Sequence, residues 1–451
     1  MKVQGSKFTV QSCLAAFLFV AGAAFAQTSE PAAIPIDLAT ALRLAGAQNL
    51  DVQIAREKLS EAKANHESAH AQFFPWIAPG VGYRRHDNRI QDVAGSLIDV
   101  NKQSYTVGGT VTAQVELGET YYKTLAAKQL LLAASHALEA QRQDAVLAAA
   151  QGYFDLLKAQ ATVGVARESL AIAQDYAKQL GQAVEAGIAF KGDALRAQVQ
   201  AERSQLALRQ AQEQQRLAGA RLAQTLHLNV TVALVPSATE LAPLALVQTN
   251  RALDSLVAQA LATRPELNQS AAFVAAARKA KESAVVGPLV PTVGAQMFLG
   301  GLGGGRNDST GNFGNSEDFL IGLSWRIGPG GLFDAARKRG SVARLNQAKL
   351  GNEKLKDNII RQVVEGHTRV QSLGDQLATA RRALAAAEET LRLTRARKEF
   401  AVGIVLENIQ AEQELTRARN DYLGLIAEYN KAQYGLVKAV GATDGPAAKS
   451  K

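Results

Sequence analysis

The residues best suited to chemistry lie at positions 66 to 70, where His66, Glu67 and His70 fit the pattern H-E-x-x-H. On a helix this spacing places both imidazoles on one face, where they could bind zinc while the carboxylate acts as a general base. A metzincin would continue with Gly at 73 and His at 76, but the chain has Phe73 and Trp76. Because a zinc enzyme needs a third ligand, we interpret the motif as a solvated helix surface. We therefore predict a protein that is not an enzyme and that has no metal site or cofactor.

A glycine-rich run from Gly300 to Gly305 is the second candidate, since such loops can cradle phosphates. It has the spacing of neither nucleotide-binding fingerprint, and no Lys-Ser or Lys-Thr pair follows it. We predict a flexible external loop instead. The net charge of +9, from 50 Lys and Arg against 41 Asp and Glu, is spread along the chain. We therefore expect no nucleic-acid partner.

Residues 1–26 have the character of a secretory signal peptide. Lys2 and Lys7 give a positive start, the stretch 8–21 is mostly apolar, and a small-x-small cleavage site follows. Its removal would also remove Cys13, the single cysteine of the sequence. No run of 18 apolar residues occurs after it, so no transmembrane helix is expected. An exported chain of this kind is either a soluble protein or an outer-membrane β-barrel, whose strands are short and half apolar.

The chain is predicted to be a duplication, because its patterns recur at an offset of about 214 to 217 residues, as between 193–195 and 407–409. Two copies of one unit would then share one structure. The predicted organisation is a first repeat at 27–231, a linker at 232–253, a second repeat at 254–441 and a disordered tail at 442–451.

Apolar residues recur every seven positions in both halves, which is typical of helices that pack side by side through a seam. A helix over 118–183 alone would reach roughly 100 Å at ~1.5 Å per residue, which is too long for a compact domain. The helices must therefore form an elongated bundle. The seam positions are Leu156, Val163, Leu170, Ala177 and Val184 in the first half and Val363, Val370, Leu377, Leu384 and Leu391 in the second.

Four segments switch to a period of two, the pattern of strands with one apolar face and one small or polar face. Their length of about ten residues suits tilted membrane-spanning strands. Pro75 and Pro291 mark the passage from helix to strand. The predicted strands lie near 76–84, 105–117, 291–299 and 318–327.

Four strands cannot close a barrel in lipid, because open edges would leave backbone N–H and C=O groups unpaired in hydrocarbon. The chain must therefore oligomerise, with two copies giving about eight strands and three giving about twelve. Twelve strands leave room for an aqueous lumen, whereas eight are largely filled by side chains.

Local motifs at three places resemble those of TolC-like outer-membrane efflux proteins, and with the duplication, strand pairs and heptads the resemblance covers essentially the whole mature chain. The three places are the strand-to-helix passage from Ser324 to Asp334, the turn from Gly187 to Leu195 and its second copy from Gly403 to Ile409. The resemblance implies an α+β membrane protein, a homotrimer whose 12-stranded β-barrel takes four strands from each chain. A long antiparallel α-helical tunnel would continue the barrel through the periplasm.

The resemblance also implies a location in the outer membrane of a Gram-negative bacterium, in contact with its lipid. The implied partners are a periplasmic adaptor (membrane fusion) protein and an inner-membrane pump. The function it implies is a passive exit duct for small molecules in a tripartite efflux system. A duct for type I protein secretion is an alternative of the same architecture. A soluble periplasmic coiled-coil adaptor or scaffold is an alternative of another class, although it leaves the four alternating strands unexplained.

In this family the helix tips close the periplasmic end of the tunnel, in some members with acidic rings. The candidates at the matching positions are Glu407, Asp193 and Gln410, so an acidic constriction is only partly present. Three copies of Glu407 could face the lumen and favour cations, or Glu407 could stabilise the start of the helix that follows it. These two interpretations of Glu407 stand equal, whereas for Asp193 we favour helix capping.

The same tips are the expected adaptor-docking surface, because they carry apolar residues where a bare loop would be polar. Glycines there permit the sharp turn between antiparallel helices. The alternative is that the apolar residues pack onto neighbouring tips within the trimer. The docking candidates are Gly187, Ile188, Phe190, Gly403, Ile404 and Leu406.

Overall fold

The computed structural model describes residues 34–238, 240–248, 251–307, 309–399 and 405–442. The predicted signal peptide, most of the predicted tail, and Gly403 and Ile404 lie outside the described residues. The elements of the first half are β1 (Ile34–Ile36), α1 (Leu38–Gln48), α2 (Leu50–Ala71), β2 (Trp76–His86), β3 (Arg89–Gln91), β4 (Leu97–Asp99), β5 (Lys102–Glu116), α3 (Leu117–Glu185) and α4 (Lys191–Thr225). Those that follow are β6 (Leu234–Pro236), α5 (Leu253–Thr263), α6 (Pro265–Val285), β7 (Thr292–Arg306), β8 (Gly314–Ser324), α7 (Ala335–Glu399) and α8 (Val405–Ala439).

Two very long helices dominate the molecule, since α3 has 69 residues and α7 has 65. At ~1.5 Å per residue each is about 100 Å long. Each packs on the shorter helix that follows it, α3 on α4 and α7 on α8, and α3 also contacts α6 and α8. The predicted seam is confirmed, because its members are buried or half-buried along both helices, with Leu156, Val363 and Val370 fully enclosed.

The duplication is visible in the packing, because residues related by an offset of 214 occupy matching buried positions. Such pairs are Leu42 and Leu256, Leu156 and Val370, and Leu222 and Leu436. Glycines let the helices approach at the same point in each half. A methyl group added at Gly152 would lie 3.2 Å from Leu222 Cδ1, and one at Gly366 would lie 3.5 Å from Leu436 Cδ1.

The segment between the halves is fixed to α8 by two fully buried amides. Asn430 accepts a hydrogen bond from Leu244 N at 2.8 Å and donates one to Ala242 O at 2.9 Å. Gln433 accepts from Val247 N at 2.9 Å. Within this segment β6 also pairs in parallel with β1. The linker is therefore anchored along part of its length, while the repeat boundaries themselves stay predictions.

A four-stranded antiparallel sheet lies at one end of the helices, with strand order β2-β5-β7-β8. All four predicted strands are confirmed, with shifted ends. Pro75 and Pro291 directly precede β2 and β7, as predicted. The predicted strand near 318–327 extends too far, since β8 ends at Ser324 and the chain turns away through Gly328 and Gly330, both at positive φ.

The prediction of an external loop for the glycine run is wrong, because β7 continues through it to Arg306. Glycine has no side chain, so this half of the strand carries no alternating pattern. On one face of β7, aromatic rings from other segments cover the glycines. Tyr105 lies over Gly303 and Phe313 lies over Gly301. The two rings stack with centroids 5.8 Å apart. None of the helices in the described part of the chain combines the length and the apolar character needed to cross a membrane.

Candidate functional site

One face of the sheet is apolar across all four strands, because the register places apolar residues of each strand side by side. Ile77, Val111, Met297 and Phe319 form one such row. The row on the helix side contains Ala113, Ala295 and Ile321. The row on the far side contains Pro79, Gly109 and Leu299, and there β8 contributes the acid Glu317. This face therefore has the character of a lipid-facing barrel surface.

The opposite face is mostly small and polar, although Trp76, Phe298, Leu302 and Leu320 also lie on it. Thr112 pairs with Gln296, Thr110 with Phe298, and Gly108 with Gly300. On β8 the same face carries Ser316, Asp318 and Ser324. Water, rather than lipid, suits this face.

Within the described chain β2 and β8 are the edge strands of the sheet, because β2 pairs only with β5 and β8 pairs only with β7. Their apolar side chains are largely exposed, with Val81 at 82% and Ile321 at 80% of full accessibility. Two long edges with free backbone groups and an exposed apolar face cannot stay open in a membrane. The sheet is complete only when both edges are paired.

An ion-pair cluster fixes the sheet to the helices where β5 runs into α3. Arg337 lies 3.0 Å from Glu119 and donates a hydrogen bond to Gly330 O at 2.8 Å. Asp334 accepts hydrogen bonds from Gly330 N and Arg337 N, at 2.9 and 2.8 Å. Trp325 donates to Leu289 O at 3.3 Å. The turn after β8 is thereby held against the start of α3. Trp325, Gly330 and Asp334 belong to the passage from Ser324 to Asp334 that the sequence analysis singled out. Glu119 and Arg337 were not singled out, because they belong to different halves.

Glu119 makes the junction sensitive to acid. Burial alone would raise the pKa of Glu119, but hydrogen bonds from Lys123 and Arg337 outweigh burial and hold the pKa below its ordinary value of 4.5. A carboxylate with a lowered pKa contributes stability that is complete above its ordinary pKa and disappears as the pH falls through the lowered value. We therefore expect Glu119→Gln to lower the stability of the purified protein by about 1 kcal/mol at pH 7.

The measurement is thermal unfolding in detergent from pH 7 down to pH 3. The difference in unfolding temperature between the natural protein and Glu119→Gln should have its full size above pH 5 and should disappear in more acidic solution. Glu353→Gln is the matched control, because Glu353 forms an exposed pair with Lys356 on α7. A difference in unfolding temperature that does not depend on pH would contradict an ionic role for Glu119.

The tip between α3 and α4 is a tight helix-terminating turn. Gly187 has φ +72, and its N–H donates to Val184 O while Ile188 N–H donates to Ala183 O. These two bonds define a Schellman motif, which favours glycine at this position. Beyond it Ile188 is 83% exposed and Phe190 is 72% exposed. The described tip thus presents two large apolar side chains to its surroundings.

The capping interpretation of Asp193 is wrong. The residue at the N-cap of α4 is Phe190, and no side chain makes a capping hydrogen bond there. Asp193 lies in the first turn, where its charge suits the helix dipole. Its carboxylate accepts a hydrogen bond from Arg196 at 3.0 Å. The carboxylate of Asp193 therefore pairs with a side chain one turn along α4 and caps no backbone N–H group.

Glu407 lies in the first turn of α8 and faces a cation of α7. Arg397 Nη1 is 3.8 Å from Glu407 Oε2, with both side chains substantially exposed. Gln410 is exposed one turn later, and Leu406 is 46% exposed. The sequence had no means to show Arg397 as the partner, because the contact depends on how α7 and α8 align. The pair reduces the net charge that Glu407 brings to this end of the molecule.

The H-E-x-x-H residues lie on α2, close to the sheet. Glu67 is 4.0 Å from Lys63 in an exposed pair, and the His70 ring contacts the rings of Phe73 and Phe74. Within the described ranges no group of three or more His, Cys, Asp or Glu is placed to hold a metal ion.

The fold defines a class of protein, an elongated helical protein that carries a four-stranded antiparallel sheet with one largely apolar face. The sequence model of the outer membrane efflux protein family matches residues 41–226 and again 256–442. No curated protein matches the chain. The chain therefore belongs to the outer membrane efflux protein family, and it is a protein of the outer membrane of Gram-negative bacteria that extends into the periplasm.

Solved structures share this fold. The Campylobacter jejuni CmeC outer membrane channel has a TM-score of 0.77 at 14% identity, over 90% of this chain and 85% of that chain. A membrane protein from Pseudomonas aeruginosa has a TM-score of 0.76 at 20% identity, over 90% and 93%. The open state of the Neisseria gonorrhoeae MtrE outer membrane channel has a TM-score of 0.71 at 17% identity, over 90% and 88%. The alternative of a soluble periplasmic adaptor does not fit this family.

Proposed function

We propose that three copies of this chain form a closed barrel with a helical tunnel, and that the assembly is the passive exit duct of a tripartite efflux system. The observation that carries the proposal is the four-stranded sheet, whose two outer strands have no further partner among the described residues and whose one face is largely apolar. A duct of this kind supplies a path, while the driving energy comes from a pump in the inner membrane.

Strand direction supports closure between copies. The four strands alternate in direction, so β2 and β8 run opposite to each other. Placing β8 of one copy beside β2 of the next therefore gives another antiparallel pair. Three copies bring four strands each to a barrel of about twelve, which is wide enough for an aqueous lumen. Lipid then meets the apolar face and water meets the face with Thr110 and Gln296.

The helices support a tunnel that continues the lumen. Both α3 and α7 start close to the sheet and run away from it for about 100 Å. Because α3 follows β5 without a break, strand and helix form one continuous wall segment. In each copy α3 with α4 and α7 with α8 form two long helical hairpins. Three copies of these hairpins would enclose a channel that reaches across the periplasm.

The proposal is tested with the purified protein in detergent and in planar lipid bilayers. We expect a trimer by native mass spectrometry and stepwise ion conductance after insertion. A protein that remains a monomer, or a trimer that inserts without conducting, would overturn the duct. Transport assays with the natural pump, using small solutes and a secreted polypeptide in parallel, distinguish efflux from type I secretion.

At the periplasmic end we propose that Glu407 and Arg397 face the entrance as a pair. Neutralising the acid alone leaves one uncompensated cation on each copy, so we expect Glu407→Gln to raise the anion-to-cation permeability ratio about twofold. The reversal potential in a salt gradient measures this ratio. The double variant Arg397→Gln/Glu407→Gln restores neutrality and should return the natural ratio. Unchanged selectivity in the single variant would leave Glu407 without an electrostatic role in conduction.

We further propose that the tips dock a periplasmic adaptor protein. The exposed side chains of Ile188 and Phe190, together with Leu406, support an apolar docking surface, to which Gly403 and Ile404 would contribute from outside the described residues. Photoreactive residues placed at Ile188 and Phe190 in cells should cross-link to an adaptor. The same label at Leu206, exposed on α4 away from the tip, is the control. Cross-links between copies alone would favour packing of the tips on one another.

A further inference from the structure

The far end of the sheet carries a row of basic side chains on its polar face. His86 pairs in register with Lys102, and Lys102 pairs with Arg306 on the next strand. Arg84 lies one pleat below, opposite Ser104. Alternation along each strand places these residues on the same face as Thr106, Thr110 and Gln296, the face that lines the proposed lumen.

The lysine and the two arginines of this row lack carboxylate partners in the part of the chain that the structure describes. No ion pair is formed there by Arg84, Lys102 or Arg306, and all three are exposed. The two other arginines at this end are different. Arg85, on the apolar face, is 2.9 Å from Asp87, and Arg89, in the connection between β2 and β5, is 3.9 Å from Asp99.

The acids of the polar face lie far from the cations. Asp318 pairs in register with Phe298, eight residues along β7 from Arg306, which corresponds to about 27 Å at ~3.4 Å per residue. Glu116 lies at the opposite end of β5, where the strand meets α3. Between the two ends the face is mostly Thr, Gly and Gln. The lysine and arginines on this face of the strands therefore lie together at its outer end, apart from the two acids of the same face.

We propose that Arg84, Lys102 and Arg306 form a cationic ring at the outer mouth of the duct, which favours anionic over cationic solutes at the exit. The inference rests on the proposed trimeric barrel, which brings three such cations from each of three copies around one opening. Rings of Arg or Lys select for anions in pores because each passing ion meets fixed charges of opposite sign at close range. A lumen wall of low dielectric focuses the same field.

Electrostatic screening limits the effect of the cationic ring to the mouth of the duct. At physiological ionic strength the screening length is about 8 Å, so the ring acts on solutes within a few ångströms of the wall and little on those farther down the lumen. Ordinary chloride and potassium report this property without knowledge of the natural cargo. Small organic acids are the class of cargo that such an exit suits.

The first experiment measures reversal potentials of the full-length trimer in planar bilayers under a potassium chloride gradient. The triple variant Arg84→Gln/Lys102→Gln/Arg306→Gln should reduce the anion-to-cation permeability ratio roughly fivefold, since neighbouring charges act together within one screening length. The double variant Arg89→Gln/Asp99→Asn is the control, because it removes a cation in the connecting segment at the same end together with the carboxylate that compensates it. Its ratio should equal that of the natural protein.

The second experiment needs no ion flow and reports the potential at the mouth directly. Ser104→Cys places a thiol on the polar face beside Arg84, and the single natural cysteine lies in the segment 1–26. Intact cells are treated with an anionic or a cationic methanethiosulfonate reagent. The ratio of anionic to cationic reaction rates should fall roughly fivefold when the three ring cations are neutralised.

The outcomes separate the two proposals. A conducting trimer whose permeability and thiol-rate ratios are unchanged by neutralisation would overturn the cationic ring and leave the duct standing. A trimer that conducts no ions would overturn the duct and the ring together. If the triple variant fails to assemble, Arg306→Gln alone should still lower both ratios in the same direction, and no change in that variant would overturn the inference.

Discussion

Replacing Ile321 by arginine should prevent stable assembly in the outer membrane. Ile321 lies in the middle of the apolar run of β8 between Phe319 and Leu323 and is 80% exposed in the single chain. In the proposed barrel this side chain faces hydrocarbon, where an arginine costs up to about 2–4 kcal/mol, depending on its depth in the bilayer. The trimer meets that cost three times. We expect little heat-resistant trimer in the outer-membrane fraction and loss of the duct function.

Leu320, the residue before Ile321, provides the matched control. Leu320 is also apolar and 66% exposed, but alternation places it on the polar face opposite Gln296. Leu320→Arg should therefore assemble and fractionate with the outer membrane like the natural protein. The measurement is the amount of trimer in purified outer membranes by semi-native electrophoresis. Equal tolerance of both variants, or failure of Leu320→Arg alone, would contradict the assignment of the two faces.

The parts of the fold that were predictable from the sequence are those whose side chains repeat regularly. The heptads around Leu156 and Val370 predicted the long helices, because a buried seam requires an apolar residue at each turn toward the partner. Alternation in β5 predicted both the strand and its apolar face. Where side chains are absent, as in the glycine half of β7, no pattern exists, and the prediction of a loop was wrong.

Other features could not be predicted because they depend on contacts between distant segments. The pair of Glu119 with Arg337 and the amide contacts of Asn430 join residues more than 180 positions apart. The cationic row requires the register that aligns Lys102 with Arg306. The sequence shows the charge of each residue, whereas only the pairing of strands shows which charges share a face.

Cysteines placed on the two open edges should link the copies of the trimer covalently. If β8 of one copy pairs with β2 of the next, Phe319→Cys combined with a cysteine at Ile77, Pro79 or Val81 brings two thiols into cross-strand neighbourhood between copies. These four positions share the apolar face. Disulfides form only when the Cα atoms are within about 7 Å, so the correct register should produce linked dimers and trimers after oxidation. We expect most of the monomer band to disappear in at least one combination on non-reducing denaturing gels.

The central strand β5 provides the matched control for this experiment. Val111→Cys combined with Phe319→Cys lies on the same face and at the same level, but β7 separates the two strands within a chain and β2 separates β5 from the next copy. Strands two apart are separated by about 9–10 Å, which is beyond disulfide reach. This variant should stay monomeric on the gel while assembling normally. Linkage through β5, or no linkage in any β2 and β8 combination of a protein that still assembles, would mean that the copies do not meet edge to edge and that the sheet is closed in another way.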